Sequence, residues 1–165
     1  MRGLEDYSVV VPVGVRGTSR SERYATSVDP DDVCEVVKPE DLAHVLPGAG
    51  RELAVMRALH TVRGVLDDTG LPWGPTGSVG FQLATGIPTG TTESDLDLLV
   101  RVSGGSLSVL AALHREFRAL AVRVDCQIET PSGAVSLAEL AGGQSDVMVR
   151  TAAGPRLIPR SVAVK

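Results

Sequence analysis

The sequence contains few aromatic residues and no excess of positive charge. Phe, Trp and Tyr make up 3% of its 165 residues, and its formal net charge is −4. A general nucleic-acid binder needs a basic face and rings on which bases can stack. This composition therefore argues against that class and predicts no nucleic-acid partner. The hydrophobic fraction of 43% still provides for a folded core, which Val, Leu and Ala must build.

Cysteine is also scarce. Cys34 and Cys126 are two lone thiols without a CxxC spacing, so neither a disulfide framework nor a thiolate zinc site is indicated. The histidines His44, His60 and His114 show no HxH or HExxH spacing, which leaves them ordinary surface or core roles. The thiol content is typical of a reducing compartment.

Long apolar runs are missing as well. Residues 1–6 lack the apolar segment of a signal peptide. The longest uncharged run, residues 69–92, is rich in Gly, Pro and Thr and cannot form a membrane helix. We therefore expect a soluble cytoplasmic protein with no membrane partner.

Charge is distributed unevenly along the chain. The first 50 residues carry five basic and nine acidic side chains, whereas the remainder carries eleven of each. The change falls at the turn-forming segment 47–50, which reads Pro-Gly-Ala-Gly. We predict a small N-terminal α/β lobe over residues 1–48 and a catalytic domain over residues 49–165.

Hydrophobic periodicity predicts the order of the secondary-structure elements. Helices are predicted to begin at Pro39 and to cover residues 51–68 and 106–120. Strands are predicted over residues 7–15, 34–37, 81–84, 94–102, 121–130, 134–137 and 147–150. This order indicates an α+β (α/β) fold, with a mixed sheet flanked by helices.

The most informative segment is Ser94-Asp95-Leu96-Asp97-Leu98. Successive side chains of a strand alternate between its faces, so Asp95 and Asp97 lie on one side, about 7 Å apart. Such a carboxylate pair suits Mg²⁺, an ion that keeps coordination positions open for substrate phosphates. Two exposed aspartates at the start of a strand are the alternative interpretation.

Two further features are weak when taken alone. Gly77-Ser78 follows a helix and a loop, where backbone amides and a hydroxyl could approach a phosphate, although Gly-Ser is also a common loop dipeptide. In the strand over residues 121–130, Arg123, Asp125 and Gln127 share one face. If this strand neighbours that of Asp95, Asp125 becomes a third carboxylate; otherwise the face is simply solvated.

Together these segments resemble the phosphoribosyl-dephospho-CoA transferase family, also called malonate decarboxylase holo-acyl-carrier-protein synthase, within the nucleotidyltransferase superfamily. The resemblance covers most of residues 8–158. The segments that carry it are residues 12–17, 73–81, 84–86, 94–98, 133–139 and 150–157.

The resemblance implies a reaction. The family moves the 2′-(5″-phosphoribosyl)-3′-dephospho-CoA group from its triphosphoribosyl precursor to a serine of an acyl-carrier protein, and pyrophosphate is released. By this resemblance, Asp95 and Asp97 hold Mg²⁺ against the α-phosphate and the leaving pyrophosphate. Asp125 completes the metal site and helps the carrier serine lose its proton.

The resemblance also implies how the substrate is held. Gly77 and Ser78 cradle the triphosphate. Arg16 and Arg23 follow the first strand in a Gly-containing loop, a position that suits bidentate phosphate contacts, and ordinary surface charge is the alternative interpretation. The carrier protein is expected to dock through an arginine-bearing surface, for which the candidates are Arg115, Arg118 and Arg123.

Two alternatives to this activity remain open. The chain could be a generic Mg²⁺-dependent nucleotidyltransferase that adenylylates a protein or a small molecule. It could also be a non-catalytic module that binds a nucleotide or a carrier protein.

Overall fold

The computed structural model describes residues 10–17, 22–104 and 107–164, and the chain divides into two compact units, Met1–Val36 and Val37–Lys165. The first unit contains an antiparallel hairpin of β1 (Val11–Arg16) and β2 (Arg23–Val28). A 3-10 turn follows at Pro30–Asp32. The part of the predicted first strand that falls on residues 7–9 lies outside the described residues.

A strand predicted over residues 34–37 is wrong. The backbone there is irregular, and the side chains of Val36 and Val37 are exposed. Within the described residues no strand pairs with this segment, and a strand needs a neighbour for its backbone hydrogen bonds. Local preference for extended structure was therefore insufficient to form a strand.

The second unit is built on a six-stranded mixed sheet in the order β3-β4-β5-β6-β7-β8. Strands β4 and β5 are parallel, and every other neighbouring pair is antiparallel. The strands are β3 (Trp73–Pro75), β4 (Leu96–Arg101), β5 (Val124–Thr130), β6 (Gly133–Ser136), β7 (Asp146–Thr151) and β8 (Gly154–Pro159).

Helices flank this sheet, which confirms the predicted fold class. They are α1 (Pro39–Leu42), α2 (Ala54–Asp67), α3 (Gly77–Thr85), α4 (Leu107–Arg118), α5 (Leu137–Ala141) and α6 (Arg160–Ala163). Helix α1 packs on β3 and α3, so it belongs to the second unit. The functional division at residue 48 stays a prediction. Among the described residues, no helix is long and apolar enough to cross a membrane.

The core lies against one face of the sheet. Leu96, Leu98 and Val100 of β4 are buried, while the residues between them are only half-buried. The buried side chains pack in one cluster with the apolar stripes of α2, α4 and α5. Alternation along β4 and β5 therefore directs their polar side chains to the opposite face, where the candidate site lies.

A strand predicted over residues 81–84 is also wrong, because this segment belongs to α3. Val79, Gly80 and Gln82 are the buried residues of that helix, and Gly86, with φ of +74°, ends it in the left-handed conformation that favours glycine. The apolar run is short enough to suit either a strand or a helix, and the glycines of α3 have a low helix propensity, so the local sequence does not indicate a helix.

The sequence patterns did not indicate β2, β3, α5, β8 or α6. Helix α5 is only five residues long. Strand β8 lies at the edge of the sheet, is largely exposed and contains Pro155 and Pro159. Proline is tolerated at sheet edges but weakens the sequence signal of a strand.

Candidate active site

Two acidic residues face each other across the parallel strands β4 and β5. Asp97 and Asp125 are register partners, so their side chains leave the same face of the sheet from adjacent strands. Both residues are half-buried. The sequence prediction for Asp125 requires its strand to neighbour the strand that follows Asp95, and β4 and β5 are neighbours.

Asp95 lies just before β4, at the edge where both strands begin. The amide of Leu96 donates a hydrogen bond of 2.9 Å to the carbonyl oxygen of Arg123, which ties the two strand starts together. Arg123 Nη1 lies 3.3 Å from Asp95 Oδ2, and its Nη2 lies 3.8 Å from Asp125 Oδ2. One guanidinium group thus contacts two of the three predicted acids.

This position of Arg123 was missed by sequence reasoning, which assigned the residue to a docking surface. Alternation did place Arg123 on the face of Asp125, two residues away. That spacing was the available signal, but the contact with Asp95 depends on strand order and register.

Gln127 is a second neighbour of the acids that sequence reasoning did not assign to the site. Its Nε2 donates a hydrogen bond of 3.2 Å to Asp125 Oδ1. Its Oε1 is buried and has no hydrogen-bond partner among the described residues. Gln127 therefore orients the Asp125 carboxylate and leaves an acceptor at the polar face of the sheet.

Helix α3 begins beside Asp97. The amide of Thr76 donates a hydrogen bond of 2.9 Å to the Asp97 carbonyl oxygen, and Gly77 follows with φ of +58°. A Cβ atom at Gly77 would overlap the Asp97 carboxylate. The absence of a side chain at Gly77 therefore lets the N-terminus of α3 approach this acid closely.

The first turn of α3 is held from its other side by a loop. Ser78 is half-buried, and its carbonyl oxygen accepts a hydrogen bond of 2.8 Å from Thr89 Oγ1. The buried Gln82 accepts from the amides of Thr89 and Gly90 and donates to the carbonyl of Ala49. These bonds fix the segment after α3, so Gly77 and Ser78 lie on a firmly connected turn.

The two predicted phosphate-binding arginines belong to the first unit. Arg16 and Arg23 are register partners in the β1–β2 hairpin, and Arg23 is exposed. The side chain of Arg16 lies outside the described part of the structure. The hairpin thus brings these two positions together, while Gly77, Ser78, Asp95, Asp97 and Asp125 gather in the second unit.

Farther along the polar face, Arg101 of β4 contacts Glu40 of α1 and Glu129 of β5. Burial acts to raise the pKa of Glu40, but hydrogen bonding from its own backbone amide and from Arg101, with the nearby positive charge, outweighs it. The pKa of Glu40 therefore lies below its ordinary value of 4.5. This ion-paired group joins α1 to the sheet.

The Glu40 contact predicts a pH dependence of stability. A carboxyl whose pKa is lower in the folded than in the unfolded chain stabilises the fold above its ordinary pKa, and this contribution is lost as the pH falls through the folded value. The melting temperature of the wild type should therefore fall more steeply below about pH 4.5 than that of Glu40→Gln. Thermal unfolding followed by circular dichroism measures both slopes, and Glu116→Gln, on the exposed side of α4, should keep the wild-type slope.

Two observations bear on a metal ion at these acids. Among the described residues, no group of three or more His, Cys, Asp or Glu side chains has the arrangement of a metal site. Instead, the guanidinium of Arg123 lies against Asp95 and Asp125. Burial and the neighbouring Asp125 raise the pKa of the Cys126 thiol on the opposite face of β5, so Cys126 does not supply a thiolate.

A mixed sheet flanked by helices, with acids on adjacent parallel strands beside a Gly-Ser helix start, has the architecture of an α/β nucleotidyltransferase-like fold. The family model of the phosphoribosyl-dephospho-CoA transferase MdcG C-terminal domain matches residues 41–161. The chain belongs to this phosphoribosyl-dephospho-CoA transferase family.

Curated relatives agree with this assignment. A phosphoribosyl-dephospho-CoA transferase of Pseudomonas fluorescens (strain Pf0-1) is 42% identical over 146 residues, which cover 86% of this chain and 68% of the relative. The transferases of that name from Pseudomonas putida (strain W619) and Azotobacter vinelandii are 39% and 40% identical, with 90% of this chain and 72% of each relative covered. No solved structure matches the chain.

Proposed function

We propose that this protein transfers the 2′-(5″-phosphoribosyl)-3′-dephospho-CoA group from its triphosphoribosyl precursor to a serine of the acyl-carrier protein of malonate decarboxylase. The family supports the transferred group. The observation that carries the proposal is the pairing of Asp97 with Asp125 beside the N-terminus of α3. This arrangement combines acids for a cation and a base with backbone amides for phosphate.

The donor set suits Mg²⁺ as the cofactor. Asp95, Asp97 and Asp125 offer the hard oxygen ligands that this ion prefers, and the glycine at position 77 keeps the space beside the Asp97 carboxylate clear of a Cβ atom. The described residues do not by themselves have the arrangement of a metal site, so we propose that these acids hold the ion together with phosphate oxygens of the substrate. When bound, Mg²⁺ would neutralise negative charge on the reacting phosphate and on the leaving pyrophosphate.

Phosphate binding is assigned to the first turn of α3. The N-terminal amides of a helix lack intrahelical acceptors and carry partial positive charge, so they bind anions. We propose that Gly77 and Ser78 contact the triphosphate in this way. Arg16 and Arg23 are proposed as further phosphate contacts, because a guanidinium group can donate two parallel hydrogen bonds to phosphate oxygens.

Asp125 is proposed as the base. The serine oxygen forms a bond to the α-phosphorus, the bond from that phosphorus to the pyrophosphate oxygen breaks, and the serine proton passes to the Asp125 carboxylate. Gln127 supports this role because its amide donates to Asp125 Oδ1 and favours one orientation of the carboxylate. The protein otherwise contributes positioning and charge compensation.

Mass spectrometry of the carrier protein tests the proposed activity. The apo carrier is incubated with this enzyme, the triphosphoribosyl precursor and Mg²⁺, and we expect its mass to rise by one phosphoribosyl-dephospho-CoA group, with pyrophosphate released in equal amount. A carrier whose acceptor serine is replaced by alanine, and a reaction containing EDTA, should show no gain. Adenylylation from ATP in place of this transfer would instead support a generic nucleotidyltransferase.

The last turn of α4 is a proposed docking site for the carrier protein. Arg115 and Arg118 lie there and are exposed. Because α4 connects the parallel strands β4 and β5, its C-terminal end lies near the start of β5. Asp95 lies at the same end of these two strands. Carrier proteins are commonly acidic, so this end of the strands could both attract one and present its serine to the acids.

Charge reversal tests the docking site. Arg115→Glu with Arg118→Glu should raise the KM for the carrier about tenfold and leave kcat nearly unchanged, because the change affects encounter rather than chemistry. Steady-state kinetics at low salt measure both constants. The double substitution Arg150→Glu, Arg156→Glu on β7 and β8 is the control, and an unchanged KM in the α4 variant would dismiss this surface.

A further inference from the structure

Arg123 occupies an unusual position for an exposed arginine. Its guanidinium contacts Asp95 and Asp125, two of the three acids to which metal binding is assigned above, and Asp97 is the register partner of Asp125. Neighbouring carboxylates repel one another unless a cation lies among them. In this structure the guanidinium supplies that positive charge.

The contact is built so that it can be exchanged. The Arg123 backbone is fixed, since its carbonyl oxygen accepts the Leu96 amide at 2.9 Å. Its side chain, however, is 70% exposed, and its nitrogens lie 3.3 and 3.8 Å from the carboxylate oxygens. Exposed ion pairs of this kind contribute about 0–1 kcal/mol each, so a divalent ion competes with them easily.

A released guanidinium would remain close to its former partners. Its Cα stays at the start of β5, two residues from Asp125, and a long flexible side chain reaches several ångströms around that point. Guanidinium groups bind phosphate oxygens through paired hydrogen bonds. A group displaced by a cation at the acids is therefore well placed to meet the anionic phosphates that arrive with it.

We propose that Arg123 is an exchangeable internal counter-cation: it competes with a divalent ion for Asp95 and Asp125, and after displacement it binds a phosphate group of the substrate. This inference rests on the proposed metal site and adds a residue to it. It predicts opposite effects of one substitution, since removal of Arg123 should strengthen metal binding and weaken phosphate binding. A merely structural role would not change the two affinities in opposite directions.

Binding measurements without turnover test the inference. Mn²⁺ serves as the metal probe, titrated into the full chain and followed by electron paramagnetic resonance of the free ion. Arg123→Ala should bind Mn²⁺ about three- to tenfold more tightly than the wild type. In saturating Mn²⁺, calorimetry should show that the same variant binds pyrophosphate about tenfold more weakly. Arg123→Lys, which keeps the charge but not the fork of donors, should lie between the two proteins in both measurements.

The control and the contrary outcomes separate this inference from the proposed metal site. Arg150→Ala removes one positive charge from an exposed position on β7 and should match the wild type in both titrations. If Arg123→Ala leaves the Mn²⁺ affinity unchanged while Asp97→Asn lowers it, the proposed exchange is wrong and the proposed metal site is still supported. If neither substitution changes the Mn²⁺ affinity, both the proposed metal site and this inference are wrong.

Discussion

Asp97→Asn should reduce the rate of prosthetic-group transfer by about a thousandfold while the protein remains folded. The substitution preserves the shape of the side chain and removes one negative charge from the paired acids of β4 and β5. Loss of a metal ligand removes several kcal/mol of charge stabilisation from the transition state, and each 1.36 kcal/mol corresponds to a factor of ten in rate. Pyrophosphate release, measured with excess carrier protein and precursor, gives the rate directly.

Two further measurements make this expectation decisive. Thermal unfolding should show that Asp97→Asn remains folded, with a melting temperature close to that of the wild type, because asparagine preserves the shape of the side chain and relieves repulsion from Asp125. Asp68→Asn, the same chemical change at the exposed end of α2, should retain full activity. Near-normal transfer by Asp97→Asn would remove Asp97 from the proposed chemistry.

Much of the second unit could be predicted because its elements repeat apolar residues with a clear period. The helix over residues 51–68 and the strand over residues 94–102 were both found, as α2 and β4, with ends shifted by a few residues. The same alternation placed Asp125 and Gln127 on one face of β5. The type of an element and the face on which each residue lies are local properties, so the periodicity of a single segment predicts them.

The geometry that makes a site of these residues is not local. The contact of Arg123 with Asp95 and the register of Asp97 with Asp125 depend on which strands are neighbours and how they align. Alternation is unchanged by a shift of two residues, so the sequence of one strand cannot fix its partner. The combined motifs suggested the correct neighbours only because they resemble a family.

Helix α3 illustrates a second limit. Its first residue is a glycine that packs against Asp97, and Gly80 lies where a Cβ atom would meet the carbonyl oxygen of Pro75. Glycine lowers helix propensity by about 1 kcal/mol relative to alanine, so local preferences argue against a helix here. Close packing against β3 and β4 requires these small residues and outweighs that preference. Where a helix must approach a neighbouring strand closely, as α3 does at this site, helix propensity therefore predicts the wrong secondary structure.

Gly77→Ala should lose most of the transfer activity, and a matched control variant distinguishes steric overlap from backbone strain as the cause. At Gly77 the added Cβ would overlap the Asp97 carboxylate and displace it from Asp125 and from the start of α3. We expect a rate at least about a hundredfold lower, because a small misplacement of a reacting group has an effect of this size.

Gly70 provides the matched substitution for this test. Its φ of +67° is close to the +58° of Gly77, yet among the described residues a Cβ atom at Gly70 would have no atom within 4 Å other than those of its chain neighbours. Both alanine variants should lose about 1–2 kcal/mol of stability from the left-handed backbone conformation, and Gly77→Ala should lose more because its Cβ overlaps Asp97. At a temperature where both variants are folded, only Gly77→Ala should lose pyrophosphate release. Equal activity in the two variants would mean that the close approach of α3 to Asp97 serves the fold alone. A selective loss would tie the helix start to the chemistry of the acids, because backbone strain is common to both variants and the overlap with a carboxylate is not.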